Sequence, residues 1–420
     1  MKFIELTVSK DALRNKKSDN VPPDLLEKRE KLKATLKKMY QASVERQRGL
    51  TSTSRIYSVE NKLWDVERKV RSYLYPEFLQ PNQKSKIDRD FIKYIRDDEI
   101  LINYIIIDSR LVVFLADAEK IHCIELADST IDFNESIRKL NFICEKSTLS
   151  LDNCYASSAN VEHYLEKLYN ILIKPVEKIM DDNKIYFLID SHFSQIPFGA
   201  LKRPHGQFLK DRFKYRIIIN PDVIVNRTKS KHAFNRKRNS VFAPDFKHLP
   251  NVKKEAKDIL NYFDNAKIYM DNEAITGNLY KELKKTRGFI HIATHASRSC
   301  ENPLFSQILM NDGPFFPFNL FDVDINADLV TLSGCQTAAP GLYYGESFSL
   351  AAAFGLAGSK HILATLWSVS DVVSKIFMNE FYNMLAKKQD IFIAYKNAAD
   401  KVYEITENPA HWGAFVLISA

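Results

Sequence analysis

The feature that most limits the possible folds is a regular alternation of short apolar runs with longer amphipathic segments after about residue 239. The apolar runs have the length of strands, and the amphipathic segments have apolar residues at the spacing of helices. This order predicts an α/β fold with a mostly parallel sheet flanked by helices. The predicted strands are Ser240–Phe242, Lys267–Met270, Phe289–Thr294, Leu329–Leu332, His361–Leu366 and Ala414–Ile418, and the predicted helices are Val252–Phe263, Asn278–Lys285, Ser347–Leu356 and Val372–Leu385.

The preceding part of the chain contains two different patterns. Residues 22–75 have apolar residues at helical spacing between many charges, and Pro22-Pro23-Asp24 is typical of a helix start. From residue 97 onwards, strand-length runs return, with a hairpin signal at Asp108-Ser109. The predicted elements here are the strands Ile100–Ile107, Arg110–Leu115, Ile121–Leu126, Ile185–Asp190 and Tyr215–Asn220 and the helix Val161–Met180.

These patterns divide the chain into three predicted parts. Residues 1–96 form a helical N-terminal region, and residues 97–238 and 239–420 form two α/β subdomains. The polar and basic stretch Thr228–Arg238 is the predicted surface linker between the subdomains. A contact with RNA is the alternative function of this stretch.

Composition excludes several classes of protein. Lys and Arg total 60 against 52 Asp and Glu in 420 residues, a net charge of +8 that predicts a basic patch but no dedicated nucleic-acid binder. The five cysteines are irregularly spaced and include no Cys-x-x-Cys pair, which argues against a disulfide framework or a zinc site of that type. No apolar run spans a bilayer and no secretory signal is visible, so we expect a cytoplasmic protein away from membranes.

Two residues with catalytic chemistry follow predicted strands of the second α/β subdomain. His295 comes directly after Phe289–Thr294, and Cys335 follows Leu329–Leu332 after the short step Ser333-Gly334. If these strands are parallel neighbours, both side chains emerge at one edge of the sheet, where active sites of such folds lie. An imidazole next to a thiol takes its proton and activates it as a nucleophile. Gly334 allows a sharp turn before Cys335, whose N–H then points outward to hold an oxyanion.

Each of these residues also has a purely structural interpretation. A single cysteine after a strand is commonly a small buried apolar residue, and His291 and His295 are spaced as a possible metal pair. However, their segment has the pattern of a strand and lacks the glutamate of a zinc-protease helix, so we expect no metal and assign His291 to the core. The segments Gly345–Ser349 and Gly355–Lys360 do not match the nucleophile-elbow or phosphate-loop patterns.

The motifs and their order resemble the CHAT family of caspase-like cysteine proteases, relatives of separase and the caspases. The resemblance covers roughly residues 97–420. The matching segments are Phe289-Ile-His-Ile-Ala-Thr-His295, Leu332-Ser-Gly-Cys-Gln-Thr337, Gly345-Glu346, Ala352-Ala-Phe-Gly-Leu-Ala-Gly358, Leu366-Trp-Ser-Val-Ser-Asp371, His411-Trp-Gly-Ala-Phe-Val416, Ile196-Pro-Phe-Gly-Ala-Leu201 and Leu249-Pro-Asn-Val with Glu255.

The resemblance implies a caspase-like α/β fold and assigns roles to individual residues. His295 becomes the general base and Cys335 the nucleophile, and the backbone N–H groups of Ala296 and Cys335 form the oxyanion hole. Ala296 stands where caspases have glycine, a change that preserves the backbone donor. Asp371 aligns with an acid of separase-like sequences near the pocket for the residue before the cut, where it favours Arg or Lys. Helix capping is the structural alternative for Asp371.

The resulting hypothesis is a regulated CHAT cysteine endopeptidase that cleaves a partner protein, in a bacterial defence or cell-death setting, without a cofactor. The first α/β subdomain, which has no Cys–His pair in matching context, is interpreted as a pseudo-protease. The helical N-terminal region is the expected contact for a regulatory protein or effector complex. Two alternatives remain: a catalytically silent scaffold, and an RNA-responsive module that uses residues 229–238.

Overall fold

The computed structural model describes most of the chain. The described residues are 21–46, 89–126, 130–148, 158–181, 183–189, 193–226, 238–245, 250–299, 303–320, 323–343 and 346–420, with residue 234 and single positions between 55 and 73. Most of the predicted linker and Gly345 of the Gly345-Glu346 motif lie outside these residues. The chain forms two compact units, Met1–Arg89 with Asp312–Phe315, and Asp90–Asn311 with Phe316–Ala420.

The first unit contains the helix α1, Pro23–Arg46, which begins where the Pro22-Pro23-Asp24 signal predicts it. Its acidic first turn, with Asp24, complements the positive N-terminal end of the helix dipole. Apolar residues at the start of α1 pack on a small cluster of buried valines, which consists of Val21, Val66 and Val70. The predicted helical N-terminal region therefore has a packed apolar core of its own among the described residues.

The second unit is built on one large sheet. The strands of the chain are β1 Glu99–Ile107, β2 Arg110–Ala116, β3 Ile121–Glu125, β4 Lys184–Leu188, β5 Lys214–Ile218, β6 Ser240–Ala243, β7 Lys267–Met270, β8 Phe289–Ala293, β9 Ala296–Ser297, β10 Gln307–Met310, β11 Gly313–Phe315, β12 Leu329–Ser333, β13 Gly341–Tyr343, β14 Glu346–Phe348, β15 His361–Thr365 and β16 Phe415–Ser419. Eleven of them form the sheet, in the order β3-β2-β1-β4-β5-β16-β15-β12-β8-β6-β7. The sheet is mixed and mostly parallel, which confirms the predicted α/β fold.

The directions of the strands divide the sheet into two blocks. In the first block, β1, β4 and β5 are parallel, and β2 and β3 extend it as an antiparallel meander. The β1–β2 turn is the predicted Asp108-Ser109 hairpin, with positive φ at both residues. In the second block, β15, β12, β8, β6 and β7 are parallel. The strand β16 joins the blocks, because it runs parallel to β5 and antiparallel to β15.

Twelve helices are present among the described residues. They are α1 Pro23–Arg46, α2 Thr130–Thr148, α3 Ser158–Leu172, α4 Glu177–Met180, α5 Leu209–Arg212, α6 Asp222–Asn226, α7 Pro250–Leu260, α8 Thr276–Lys285, α9 Leu350–Leu356, α10 Asp371–Ala386, α11 Ile391–Thr406 and α12 Pro409–Trp412. None of them is both long enough and apolar enough to cross a membrane.

Several helix assignments differ from the prediction. The helix predicted over Val161–Met180 ends at Leu172 and resumes only as the single turn α4, with Pro175 in between, because proline removes a backbone donor. The helix predicted from Ser347 begins at Leu350, since the Ser349 hydroxyl accepts the Ala352 N–H at 3.1 Å and caps it. The helices α2 and α11 and the short helices α5, α6 and α12 were not predicted at all.

The strands that lead to the site are covered on both faces. All five residues of β8 are buried, and so are the first four of β12, as the continuous apolar runs predict. Each fully buried Leu, Ile or Phe side chain contributes about 1.5 to 3 kcal/mol relative to an exposed one. The site therefore rests on the rigid centre of the second block.

Candidate active site

The geometry of the site begins with the pairing of β8 and β12. These strands are parallel neighbours, and their register pairs Phe289 with Leu329 and Ala293 with Ser333. The next link is a hydrogen bond of 3.1 Å from the Thr294 N–H to the Ser333 carbonyl. His295 and Cys335 each lie two residues beyond the last pair, so the two side chains leave the sheet at the same level of the same edge.

Both residues line one cleft at that edge, and both are partly exposed. The cleft encloses about 510 Å³, including space that is open to solvent. It is lined by Val252, Glu255, Thr294, His295, Ser333, Gly334, Cys335, Thr365, Val369, Asp371 and Ser374. The structure therefore brings together three predicted residues, His295, Cys335 and Asp371.

The turn that carries Cys335 is tightly fitted on both sides of the cysteine. A Cβ atom at Gly334 would lie 2.6 Å from the Thr294 carbonyl oxygen and 3.2 Å from the Ala296 Cβ, so only glycine allows this approach. The backbone of Gln336, the residue after Cys335, has a left-handed conformation, with φ of 55°. Gly334 is therefore needed for close packing and not, as expected, for a sharp turn, because the left-handed conformation belongs to Gln336, the residue after Cys335.

Two threonines hold this turn against β15. The Thr365 hydroxyl donates to the Gly334 carbonyl at 2.7 Å, and the Thr365 N–H donates to the Thr337 hydroxyl at 3.0 Å. The Ala338 N–H donates to the Thr365 carbonyl at 2.7 Å. Because both ends of the turn are hydrogen-bonded to the same strand, the backbone around Cys335 is fixed before any substrate binds.

The histidine side of the cleft is fixed by the short ribbon of β9 and β10. The Leu309 N–H donates to the His295 carbonyl at 2.9 Å, and the Thr294 hydroxyl donates to the Leu309 carbonyl at 2.5 Å. The adjacent pair Ala296–Ile308 is then of the type without backbone hydrogen bonds. The Ala296 N–H therefore points away from β10, and its nitrogen lies 3.5 Å from the Cβ position at Gly334.

A buried polar network lies under the cleft. His291 is completely buried, as predicted for a core residue, and its Nδ1 lies 3.0 Å from the Tyr382 hydroxyl. That hydroxyl donates to Thr331 Oγ1 at 2.9 Å. Burial, with the nearby Glu255 carboxylate, raises the pKa of Tyr382 far above its ordinary value. The network ties α10 to the two strands that precede His295 and Cys335.

Glu255 connects this network to the cleft. Its Oε1 lies 2.9 Å from His291 Nε2, in the geometry of an ion pair without an aligned hydrogen bond. The same side chain lines the cleft, although only 7% of the residue is exposed. Sequence analysis named Glu255 only as part of a motif. The available signal was a carboxylate on the face of a helix shared with Val252 and Ile259, because a charge at a core position requires a partner.

Asp371 is the first residue of α10 and not its cap. The cap is Ser370, whose hydroxyl accepts the Val373 N–H at 3.3 Å. The capping alternative for Asp371 is therefore wrong, since the neighbouring serine performs that role. The Asp371 carboxylate stands in the first turn of α10 and lines the cleft.

Other candidate chemistry is not assembled in the described part of the chain. Among the described residues, no group of three or more His, Cys, Asp or Glu side chains is arranged to hold a metal ion. The basic residues 229–238, on which the RNA alternative rests, lie mostly outside the described ranges, so this alternative stays a hypothesis.

Comparison with protein families gives one clear assignment. The family model of the CHAT domain matches residues 162–420, which is more than half of the chain. The chain belongs to the CHAT domain family. The match begins in α3, later than residue 97, so the resemblance of residues 97–161 to the family stays a prediction. A search of curated proteins gave no match.

Solved structures similar to this CHAT protein include separase from Saccharomyces cerevisiae in two crystal structures of the separase–securin complex. The first has a TM-score of 0.60 and 11% identity over 85% of this chain and 31% of separase, and the second has 0.56 and 10% over 84% and 32%. The Arg-specific cysteine proteinase gingipain R follows with 0.42 and 9% over 68% of this chain and 74% of that one. At these identities the separase similarity establishes the caspase-like fold, and the chain spans about a third of the separase chains.

Proposed function

We propose that this CHAT protein is a cysteine endopeptidase, with Cys335 as nucleophile and His295 as general base. The observation that carries the proposal is the shared register of the two residues, each two positions beyond paired ends of β8 and β12 and in one cleft. A dyad needs a thiol and an imidazole that reach the same carbonyl group, and a common level on adjacent parallel strands provides this.

The proposed reaction uses the fixed turns on both sides of the cleft. The Cys335 thiol gives its proton to His295, and Sγ bonds to the carbonyl carbon of the substrate. The N–H groups of Ala296 and Cys335 stabilise the tetrahedral oxyanion. The carbon–nitrogen bond then breaks, and His295 returns the proton to the leaving amine. A water molecule, deprotonated by His295, hydrolyses the thioester, releases the new carboxylate and restores the thiol.

The substrate is proposed to be a partner protein, cleaved under the control of a second protein that binds the helical N-terminal region, in the cytoplasm. The separase structures, in which the protease is in complex with securin, support control by a protein. The setting in bacterial defence or cell death rests on the family resemblance alone.

The test compares three variants with the wild type. Cys335→Ala and His295→Ala are expected to lower the cleavage rate of a coumarin-amide peptide library at least about a thousand-fold. Cys123→Ala is the matched control, because Cys123 is another free cysteine, exposed on the edge strand β3. A peptidyl acyloxymethyl ketone is expected to label Cys335 and no other cysteine. Equal cleavage by Cys335→Ala overturns the assignment, and a wild type that neither cleaves nor labels supports the silent scaffold.

The charges of the cleft suggest the residue before the cut. Glu255 and Asp371 line it, and among its described lining residues there is no lysine or arginine. We propose that Asp371 binds an arginine or lysine side chain of the substrate through a charge-assisted hydrogen bond.

Asp371→Asn is expected to raise KM for peptides with arginine before the cut by about tenfold, the effect of losing one such contact. Peptides with leucine at that position are expected to change little. Ser370→Ala, which removes the cap of α10 but keeps the charge, is the control and should lower the melting temperature without changing the preference. If the wild type cleaves leucine peptides as well as arginine peptides, the assignment of Asp371 is wrong.

A further inference from the structure

The turn that carries Cys335 is also held by α2, the helix that follows the β1–β2–β3 meander of the first block. The Gln336 amide Nε2 donates to Glu145 Oε1 at 2.7 Å, across 191 residues of sequence. Glu145 lies in the last turns of α2, which follows the β1–β2–β3 meander. A residue of the first α/β part therefore contacts the residue directly after the nucleophile.

We infer that Glu145 is a positioning residue that fixes the backbone of the Cys335 turn, a role that rests on the proposed peptidase function. The backbone of Gln336 is the part of the turn that most needs such support. Its φ of 55° is a left-handed conformation that a residue with a Cβ atom adopts only when its surroundings enforce it. A hydrogen bond to a carboxylate is shorter and stronger than one between neutral groups, so Glu145 supplies a firm anchor.

The helix that carries Glu145 is itself well anchored. Phe133, Leu140 and Cys144 of α2 are fully or almost fully buried. The Asn141 amide donates to Gln195 Oε1 at 2.9 Å, and the Phe133 ring packs on Phe193 at 5.2 Å between centroids. The helix also packs on α3 and α12. An anchor on a fixed helix determines where Gln336 lies, and hence the direction of the adjacent Cys335 N–H and thiol.

The hydrogen bonds of Thr337 and of Thr365 on β15 do not make this contact redundant. Thr365 bonds the carbonyl of Gly334, before the cysteine, and Thr337 lies after the left-handed residue. Glu145 bonds the Gln336 side chain itself, between those two points. The contact thus couples the geometry of the nucleophile to the position of α2.

The first experiment measures kcat and KM for the best coumarin-amide peptide from the library. Glu145→Ala is expected to lower kcat about 10-fold to 100-fold, as a small misplacement of a reacting group does, with KM within about twofold. Glu145→Gln keeps an acceptor oxygen and should recover most of kcat. Glu135→Ala is the matched control, because Glu135 is a carboxylate on the exposed side of α2 that pairs with Lys139 at 2.6 Å. A wild-type kcat for Glu145→Ala, or equal losses for the Ala and Gln variants, overturns the inference.

The second experiment asks whether the left-handed backbone is what Glu145 supports. Glycine adopts positive φ freely. Gln336→Gly should therefore lower kcat less than Gln336→Ala, and adding Glu145→Ala to the glycine variant should have no further effect. A further loss of about tenfold in the glycine background would assign Glu145 a general structural role and refute the inference.

A third measurement separates this inference from the peptidase proposal. The rate at which iodoacetamide alkylates Cys335 depends on its thiolate fraction and needs no peptide substrate. Glu145→Ala should lower that rate by about threefold or more, while Glu135→Ala should not change it. If no peptide is cleaved by the wild type, the peptidase proposal fails and this rate still decides the inference: a lower rate supports it, and an unchanged rate overturns it.

Discussion

Single atoms at the edge of β8 and β12 determine how closely the turns of His295 and Cys335 approach each other. Gly334 has no side chain, and the Thr294 carbonyl occupies the place where one would lie. The neighbour is a backbone atom of a paired strand and not the end of a flexible side chain, so it does not move aside easily. The short separation of the His295 and Cys335 turns is therefore possible only because Gly334 has no Cβ atom.

Gly334→Ala is expected to push the turn of Cys335 away from that of His295. The variant should lose about 1 to 3 kcal/mol of stability, as overpacked cores do, and about a hundred-fold in kcat. Urea denaturation and peptide turnover measure the two effects. The control is Gly277→Ala in α8, where nothing lies within 4 Å of the new Cβ, and it should gain up to about 1 kcal/mol with unchanged kcat. Normal turnover by Gly334→Ala would contradict the argument.

The place of His295 and Cys335 in one cleft was predictable from sequence, but the contacts that hold their turns were not. His295 and Cys335 stand directly after apolar runs, so their place at one edge followed from the strand pattern once the strands were taken as parallel neighbours. The contact between Glu145 and Gln336 spans 191 residues and leaves no local pattern. Spacing also does not reveal which residue caps α10. Only the hydrogen bond of Ser370 shows that Asp371 is not the cap.

At the scale of elements, the strands were predicted more reliably than the helices. Buried parallel strands are continuous apolar runs, and each of the six strands predicted in the second part is present. The strand β7 has the predicted ends, and no end of the other five is shifted by more than one residue. The helix α2 was missed although Phe133, Ile137, Leu140 and Cys144 follow the spacing of an amphipathic helix. Its polar face, with six charged residues among nineteen, obscured that spacing. Helix ends were set by capping hydroxyls such as Ser349, which spacing alone places only approximately.

At the scale of the whole molecule, His361 lies where the two blocks of the sheet meet. It begins β15, is paired with Ser419 of β16, and its Nδ1 lies 3.1 Å from the Ser419 hydroxyl. Burial, with the positive charges of Arg216 and Lys360, lowers its pKa to about 3. The imidazole is therefore neutral in the folded protein throughout the range in which an unfolded chain takes up its proton.

This difference predicts that acid weakens the folded state through His361. Below a pH of about 6.5, His361 is protonated in the unfolded chain but stays neutral in the folded protein. The contribution of His361 to stability is therefore fully present above that pH and is lost as the pH falls towards 3. Lowering the pH from 7.5 to 5 decreases the free energy of unfolding of the wild type. In His361→Gln this decrease should be smaller by about 1 to 2 kcal/mol. Urea denaturation at both pH values measures this, with the exposed His163→Gln as control. The same pH dependence in His361→Gln and the wild type would exclude this role.

The position of β16 also has a consequence during protein synthesis. It is the last strand in the sequence, yet it lies between β5 and β15 near the middle of the sheet. The ten other strands leave the ribosome earlier, and until β16 follows, the two blocks have open edges at β5 and β15. The blocks cannot join into one sheet during that interval. Under the proposed function, a nascent chain therefore carries its thiol and its imidazole before the sheet is complete, and we expect no proteolysis until translation has passed Ser419.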